Sequence, residues 1–559
     1  MKDGNFKLTK LPYERITIES YEKEILKIIH EFEKAESGEE QFLVHKKYYE
    51  LYKNTYTTII LAGLRHDVDV SDKFYEEEQE YYDEISPKIE SYQARYKELF
   101  FNSRYKSYLE SKIGEVAFKD IEIKLKSFDD VLIPLKQEEN AIVSKYNKLM
   151  AESKVEFRGE TLNFSLLEKY LKANDRQTRF EAAKVKYEKL LTIQDELDEL
   201  FDKLVNNRNE QAKAMKYENY VELGYYNMNR NSYNKEDVAK FRNQVKEYLV
   251  PFASKMHDER RRRLGIDKLD FVDEGVYFLN GNPAPIGTAD DIFAAGKKMY
   301  TELSPETKEF FDFMLEHELF DVLGRPNKVA GGYMDMLLSY GAPIIFANFN
   351  GTSGDVDVMT HECGHAFQGY VTREDEILEH NDITMETAET HSMSMEFFTG
   401  KWMELFFGER VEDYRKMQLE DAIAFIPYGC MIDEFQEIIY TKPELTPDER
   451  REVWKKLEKE YKPHLSYKED KFFSEGRRWQ TQKHVYNYPF YYIDYCLAQT
   501  CALQFKIRMD EDFKDAWKKY LTFCKESANG YFADMLKKVD IKSPFEDGFI
   551  KELVDKIEL

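Results

Sequence analysis

Two histidines four residues apart, His361 and His365, with a glutamate after the first, Glu362, make the pattern HExxH inside VDVMTHECGHAFQGYV. On a helix, residues four apart project from one face, so both imidazoles can reach one ion at about 2.0 to 2.1 Å. Glu362 sits one residue round, beside the metal rather than on it, where it can take a proton from the water that zinc activates. Val358, Met359, Cys363, Ala366 and Phe367 surround the motif. Apolar neighbours mark a largely buried helix, where histidines need partners, whereas a solvated face could carry two histidines without chemical consequence.

A catalytic zinc takes three protein ligands and keeps one position open, so a third ligand should lie downstream. The segment ITMETAETHSMSMEFFTGKWM reads as a second helix with Glu386, Glu389 and Glu396 along one face, beside Met393, Met395 and Phe397. Spacing leaves each of these acids, and His391, open as the ligand. Without the HExxH helix such a row of acids would read as a solvated stripe; next to it, the row faces something cationic.

Other elements must hold these helices. Thr352-Ser353-Gly354-Asp355 is a helix-start signal just before the motif. Ahead of it, Pro343 to Asn350 (PIIFANFN), bounded by Gly341 and Gly351, reads as a strand within the least helical stretch, Arg325 to Gly354. Pro343 suits an edge position, so main-chain groups near Ala347, Asn348 and Phe349 could pair with an extended peptide, although periodicity alone favours a purely structural strand.

The rest of the chain reads as helical. Its 559 residues include only 25 glycines and 15 prolines among abundant Glu, Lys, Leu and Tyr, which suits long helices rather than a sandwich or barrel. From about Thr17 to Met150 successive amphipathic helices form a lobe, with Ile25, Ile28, Ile29 and Phe32 on one face. Tyr48, Tyr49, Tyr52 and Tyr56 fall at similar spacing and read as helix-to-helix packing. The pattern lapses at Phe157 to Phe164 (FRGETLNF), placing a boundary near residue 155, with an N-terminal helical lobe at 1–155 and a catalytic region at 156–559. Asp267 to Pro285 reads as a long loop.

A formal charge of −25 argues against a phosphate-binding surface, so nucleic acid is not an expected partner. The N-terminal MKDGNFKLTKLPYER has no apolar core of a signal peptide, and no stretch of about 18 uncharged apolar residues occurs, so no membrane partner is expected. Cys363, Cys430, Cys496, Cys501 and Cys524 lack the paired spacing of a thiolate zinc site. A reducing, cytoplasmic setting fits best; the oligomeric state stays open.

Several stretches together resemble the oligoendopeptidase F family, within the wider group of thimet oligopeptidase and neurolysin. They are Asp175, Arg176 and Arg179 in DR-x-x-R, AGGYMDM, NFNGTSGDV, HECGHAF, the acidic helix, and HVYNYPFYYIDY at His484 to Tyr495, spanning about residues 155 to 510. The resemblance implies a mainly α, two-lobed fold enclosing a deep substrate channel, with a small β-sheet beside the HExxH helix. It implies Glu389 as the third ligand to one zinc per chain, because the family's Glu is followed by Ser at three and Glu at seven, here Ser392 and Glu396. Glu386 becomes the reserve. His391 stands where relatives carry a small residue or proline, and Ile493 where they commonly carry tyrosine. The Tyr-rich segment, which includes Tyr486 and Tyr492, closes over substrate in the family. His484, Tyr491 and Tyr495 are implied donors to the carbonyl oxygen, and Tyr488 a substrate contact.

The implied activity is zinc-dependent cleavage of internal bonds in oligopeptides, with Glu362 as general base. A metallocarboxypeptidase is the rival enzyme; it needs a group for the terminal carboxylate, for which Arg477 and Arg478 are available, although surface solvation explains them equally well. A catalytically silent peptide binder is the rival of another class, but such a protein has no use for Glu362.

Overall fold

Chain segments rich in Glu, Lys, Leu and Tyr fold as helices almost throughout the computed structural model, which describes residues 6–325, 327–467 and 470–558. Met1 to Asn5 of the N-terminal segment, and Pro326 in the Arg325 to Gly354 stretch, lie outside the described residues. In the N-terminal region, helix Ile18–Lys34 is capped by Thr17, whose side chain accepts from the Ser20 amide. Its apolar stripe, Ile25, Ile28, Ile29 and Phe32, is buried in one core with Tyr48, Tyr49, Tyr96 and Phe100. The tyrosines of helix Gly38–Val68 do more than pack. Tyr49 donates to Glu379 at 2.6 Å and Tyr56 to Asp335 at 2.9 Å, fastening this helix to the catalytic region.

The lapse at FRGETLNF is a hairpin, β1 (Lys154–Phe157) and β2 (Glu160–Asn163), paired antiparallel. Arg158 and Gly159 both have positive φ, 52° and 82°, as a two-residue type I′ turn requires. Packing crosses this point. Ile142 and Tyr146, from helix Ile133–Glu152, share a core with Phe201, Trp479 and Tyr486. Between Asp267 and Pro285 the described chain holds one short 3-10 helix, Phe271–Asp273, and is otherwise turns and loop. Arg176 and Arg179 of the DR-x-x-R stretch pin that loop through ion pairs of 2.5 and 2.8 Å to the fully buried Asp273.

Next to the HExxH helix lies a sheet of three strands, β3 (Phe320–Leu323), β4 (Tyr333–Leu337) and β5 (Ala342–Phe349), in the order β3-β5-β4. Here the expectation from Pro343 is corrected: β5 is the central strand, parallel to β3 and antiparallel to β4. Pro343 is tolerated because it opens the strand, and the run Ala342 to Ala347 is buried, as befits a strand covered on both faces. Main-chain pairing of a peptide with Ala347, Asn348 and Phe349 is therefore not available at an edge. Leu323 pairs with Phe349, the Ala347 carbonyl accepts from Lys328 Nζ, and the Asn348 side chain donates through Nδ2 to the carbonyls of Val329 and Gly331. The edge on the other side is β4. Its odd residues Tyr333 and Asp335 bond to Asp67 and Tyr56 of helix Gly38–Val68, while Gly332 and Met336 meet the HExxH helix at Val358 and Gly369.

Four helices build the catalytic core: Gly354–Thr372 with HExxH, the acidic helix Met385–Phe398, Val411–Thr441, and Tyr492–Glu526, which kinks at Asp512. The expected hydroxyl cap on the first is absent. Instead the Asp355 carboxylate accepts from the amides of Asn350 and Gly351 at 2.8 and 2.7 Å, tying the helix start to the end of β5. All five cysteines are free and buried, and no described helix is long and apolar enough to cross a membrane.

Candidate metal centre and active site

The HExxH helix and the acidic helix cross in contact because Gly364 carries no side chain; a Cβ there would stand 2.5 Å from the Ser392 Cα and 3.0 Å from the His391 carbonyl. This approach sets the distance between the histidines and the acids. His361, His365 and Glu389 are brought together, with one potential ligand atom from each lying within 4.8 Å of the others. Glu389 Oε2 is 3.3 Å from His361 Nε2 and 3.4 Å from His365 Nε2. For ligands about 2.0 to 2.1 Å from an ion, a tetrahedron has edges of about 3.3 Å, so this donor set fits a four-coordinate zinc with one corner free.

The neighbours orient these donors. Glu396 Oε1 is 2.7 Å from His361 Nδ1, leaving Nε2 to face Glu389. The Ser392 hydroxyl donates to Glu389 Oε2 at 3.1 Å, and the Tyr491 hydroxyl to Oε1 at 2.5 Å. Glu389 is 2 % exposed, so its charge needs such partners. Glu362 is also buried, and burial pushes its carboxyl above the usual carboxylate range, the direction a general base near neutrality requires.

The open alternatives resolve by position. Glu386 turns away to Thr384 and Tyr233, and burial, with Asp494 nearby, pushes its carboxyl up to about 8. His391 is fully buried and pairs through Nε2 with Ser527 Oγ at 2.8 Å, so it is not in the metal cluster.

The Tyr-rich segment divides between site and core. His484 lies with its ring centre 5.7 Å from Tyr491 and 5.9 Å from Tyr495, and those two rings are 4.9 Å apart. Tyr488 is exposed at the rim. Tyr486 and Ile493 are buried in the core, where Tyr486 stacks on Tyr146 at 3.8 Å. Arg477 and Arg478 are engaged as well: Arg477 with Glu475 and Asp198, Arg478 with Glu274 at 2.7 Å.

Three features escaped the reading of the residues. Gly331 and Gly332, within AGGYMDM, continue the β4 edge past Glu362: a Cβ on Gly332 would lie 3.7 Å from Glu362 Oε1, and none would meet anything at Gly331. The glycine pair was the available signal. Gly364 could have been noticed as a glycine between the histidines of a helix. Gln482, bonded to His484 Nδ1 at 2.9 Å, carried no signal in its spacing.

Two family descriptions match the chain, the Peptidase M3 N-terminal domain over residues 8–128 and Peptidase family M3 over residues 169–278 and 305–555. Among solved structures, PZ peptidase A with an inhibitor is 41% identical, with a TM-score of 0.96 over 98% of each chain. A protein provisionally named oligoendopeptidase F is 40% identical, with a TM-score of 0.96 over 99% of each chain. One from Bacillus anthracis, given the same provisional name, is 38% identical, with a TM-score of 0.91 over 99% of this chain and 97% of that one. No curated protein matches the sequence.

Proposed function

The chain belongs to peptidase family M3, and from that premise we propose that it is a zinc-dependent endopeptidase hydrolysing internal bonds of short oligopeptides. The observation that carries this reading is the position of Glu389 Oε2, 3.3 and 3.4 Å from the two histidine Nε2 atoms. Zinc bound by His361, His365 and Glu389 would polarise the scissile carbonyl and make a water easier to deprotonate at neutral pH. Zinc follows from the donor types, and cobalt or manganese would be tolerated in vitro.

Glu362 takes the proton of the attacking water and passes it to the amide nitrogen, which leaves as the amine when the C–N bond breaks. His484, Tyr491 and Tyr495 are the candidate donors to the negative charge that develops on the carbonyl oxygen. The peptide lies extended along the outer edge of β4 at Gly331 and Gly332, where the backbone approaches Glu362 with no intervening side chain. Main-chain hydrogen bonds are indifferent to sequence, so cleavage is broad in specificity. Tyr488 meets the peptide at the rim. The names of the similar solved structures, and the N-terminal helix Gly38–Val68 fastened to Asp335 and Glu379 beside the metal helices, favour oligopeptides over folded proteins. Five free thiols suit a cytoplasmic setting.

A carboxypeptidase is disfavoured because Arg477 and Arg478, the arginines considered for a terminal carboxylate, are already paired with carboxylates. The test is mass-spectrometric product mapping on peptides of about 5 to 30 residues, comparing wild type with Glu362→Gln at equal metal occupancy. Internal cuts that vanish in the variant support the reading. No cleavage by metal-loaded wild type overturns it, and failure on C-terminally amidated peptides would instead indicate a carboxypeptidase.

A further inference from the structure

We infer that Gln482 is a positioning residue that sets the tautomer of His484, so that the neutral imidazole presents an Nε2–H to the substrate carbonyl oxygen. This deepens the peptidase reading and rests on it. Two hydrogen bonds in series define the direction. Arg478, paired with Glu274, lies against the Tyr428 ring with its guanidinium carbon 4.9 Å from the centroid. Tyr428 donates its own proton to Gln482 Oε1 at 3.0 Å. Gln482 Nε2 is then the end that faces His484 Nδ1, at 2.9 Å.

An amide oxygen can only accept, so the bond from Tyr428 places Gln482 Oε1 on the phenol and leaves its Nε2 for His484. The amide nitrogen, a donor, requires a lone pair on Nδ1. The proton of neutral His484 must therefore sit on Nε2, the nitrogen left for substrate. Burial, reinforced by Lys483, lowers the His484 pKa to about 4, so the ring is neutral at physiological pH and only one nitrogen can donate. The groups facing the ring are Tyr488, Tyr491, Tyr492 and Tyr495, with Lys483 beside it and Glu389 beyond Tyr491. Were the proton on Nδ1, a lone pair would meet the developing oxyanion, and the donor would be lost without any change in shape.

The test uses zinc-loaded full-length wild type, Gln482→Glu, Gln482→Met and His484→Ala, with kcat and KM on an internally quenched peptide measured from pH 5.5 to 9. In Q482E the carboxylate accepts from Nδ1–H, so only the doubly protonated ring offers Nε2–H. The expected result is near wild-type kcat on the acid side and a fall of about 10- to 100-fold on the alkaline side, with KM little changed. Wild type lacks that alkaline limb. Q482M should lose activity to the same extent at every pH. A Q482E profile parallel to wild type, or one indistinguishable from Q482M, overturns the inference while wild-type cleavage leaves the peptidase reading intact. Full activity in H484A also overturns it, and a wild type that cleaves nothing takes both down. Should Q482E fail to fold, long-range proton–nitrogen correlation on ¹⁵N-histidine wild type, assigned with H484A, reads the tautomer directly: a bare Nδ1 supports the inference and a protonated Nδ1 overturns it.

Discussion

Gly364 and Ser392 meet at the crossing of the HExxH helix and the acidic helix, where a Cβ on the glycine would stand 2.5 Å from the serine Cα. The obstruction is backbone, which cannot rotate away. Gly364→Ala should therefore separate the helices and draw Glu389 from His361 and His365. Zinc affinity is expected to fall by at least about 10-fold, with a lower thermal midpoint, since overpacking of this kind costs about 1 to 3 kcal/mol. Competition with a chelator measures the first and calorimetry the second; unchanged affinity would mean that the crossing has slack.

Glu396 holds His361 through Nδ1 at 2.7 Å without belonging to the ligand set. Glu396→Ala should weaken zinc binding by about 10- to 100-fold, and Glu396→Gln by less, because the amide oxygen can still accept from Nδ1–H. Equal losses in the two variants would assign the effect to charge rather than to ring orientation.

Arg230 bonds both the Phe490 carbonyl and, at 3.2 Å, Asp494 Oδ1. Phe490 has a φ of 68°, a strained value for a bulky side chain, immediately before Tyr491. Arg230→Met should lower kcat by loosening Tyr491 and should destabilise the fold by about 3 to 5 kcal/mol, because Asp494 is left buried without its cation. Asp494→Asn in the same chain should recover part of that stability in denaturant unfolding. Additive losses would count against the pairing as the cause.

His257 and His464 stack at 3.7 Å, and burial lowers the His464 pKa to about 3. Unfolded histidine titrates near 6.5, so between about pH 6.5 and 3 the unfolded chain binds a proton that folded His464 refuses. Stability from this group is complete above about pH 6.5 and declines as pH falls, by about 1.4 kcal/mol per pH unit. His464→Gln should remove one proton from the slope, so that on going from pH 7 to 5 it loses about 2 kcal/mol less than wild type. Parallel pH dependences of the thermal midpoint would refute the assignment.

The sequence by itself determined the chemistry and the material of the fold. Few glycines and prolines and a 3.6-residue apolar period commit the chain to helices, as Ile25, Ile28, Ile29 and Phe32 bear out in their shared core. The spacing of His361 and His365 is a local property of a helix, so two donors and the adjacent Glu362 could be named before any coordinates were known. The third donor could not be named from spacing. Glu386, Glu389 and Glu396 share one helix, and only the approach permitted by Gly364 decides that Glu389 meets both imidazoles, Glu396 holds a ring and Glu386 turns to Tyr233.

Sheet order lay further out of reach, because pairing between strands is a contact between distant segments and leaves no periodic trace. Pro343 suggested an edge, yet β5 lies between β3 and β4, and the edge beside Glu362 belongs to the glycines before β4. The tyrosines of the Tyr-rich segment are alike in sequence, but burial sends Tyr486 to the core and leaves Tyr491 on Glu389. What a helix repeats every turn could be read from the chain; what two separate elements bring to one point was decided by packing.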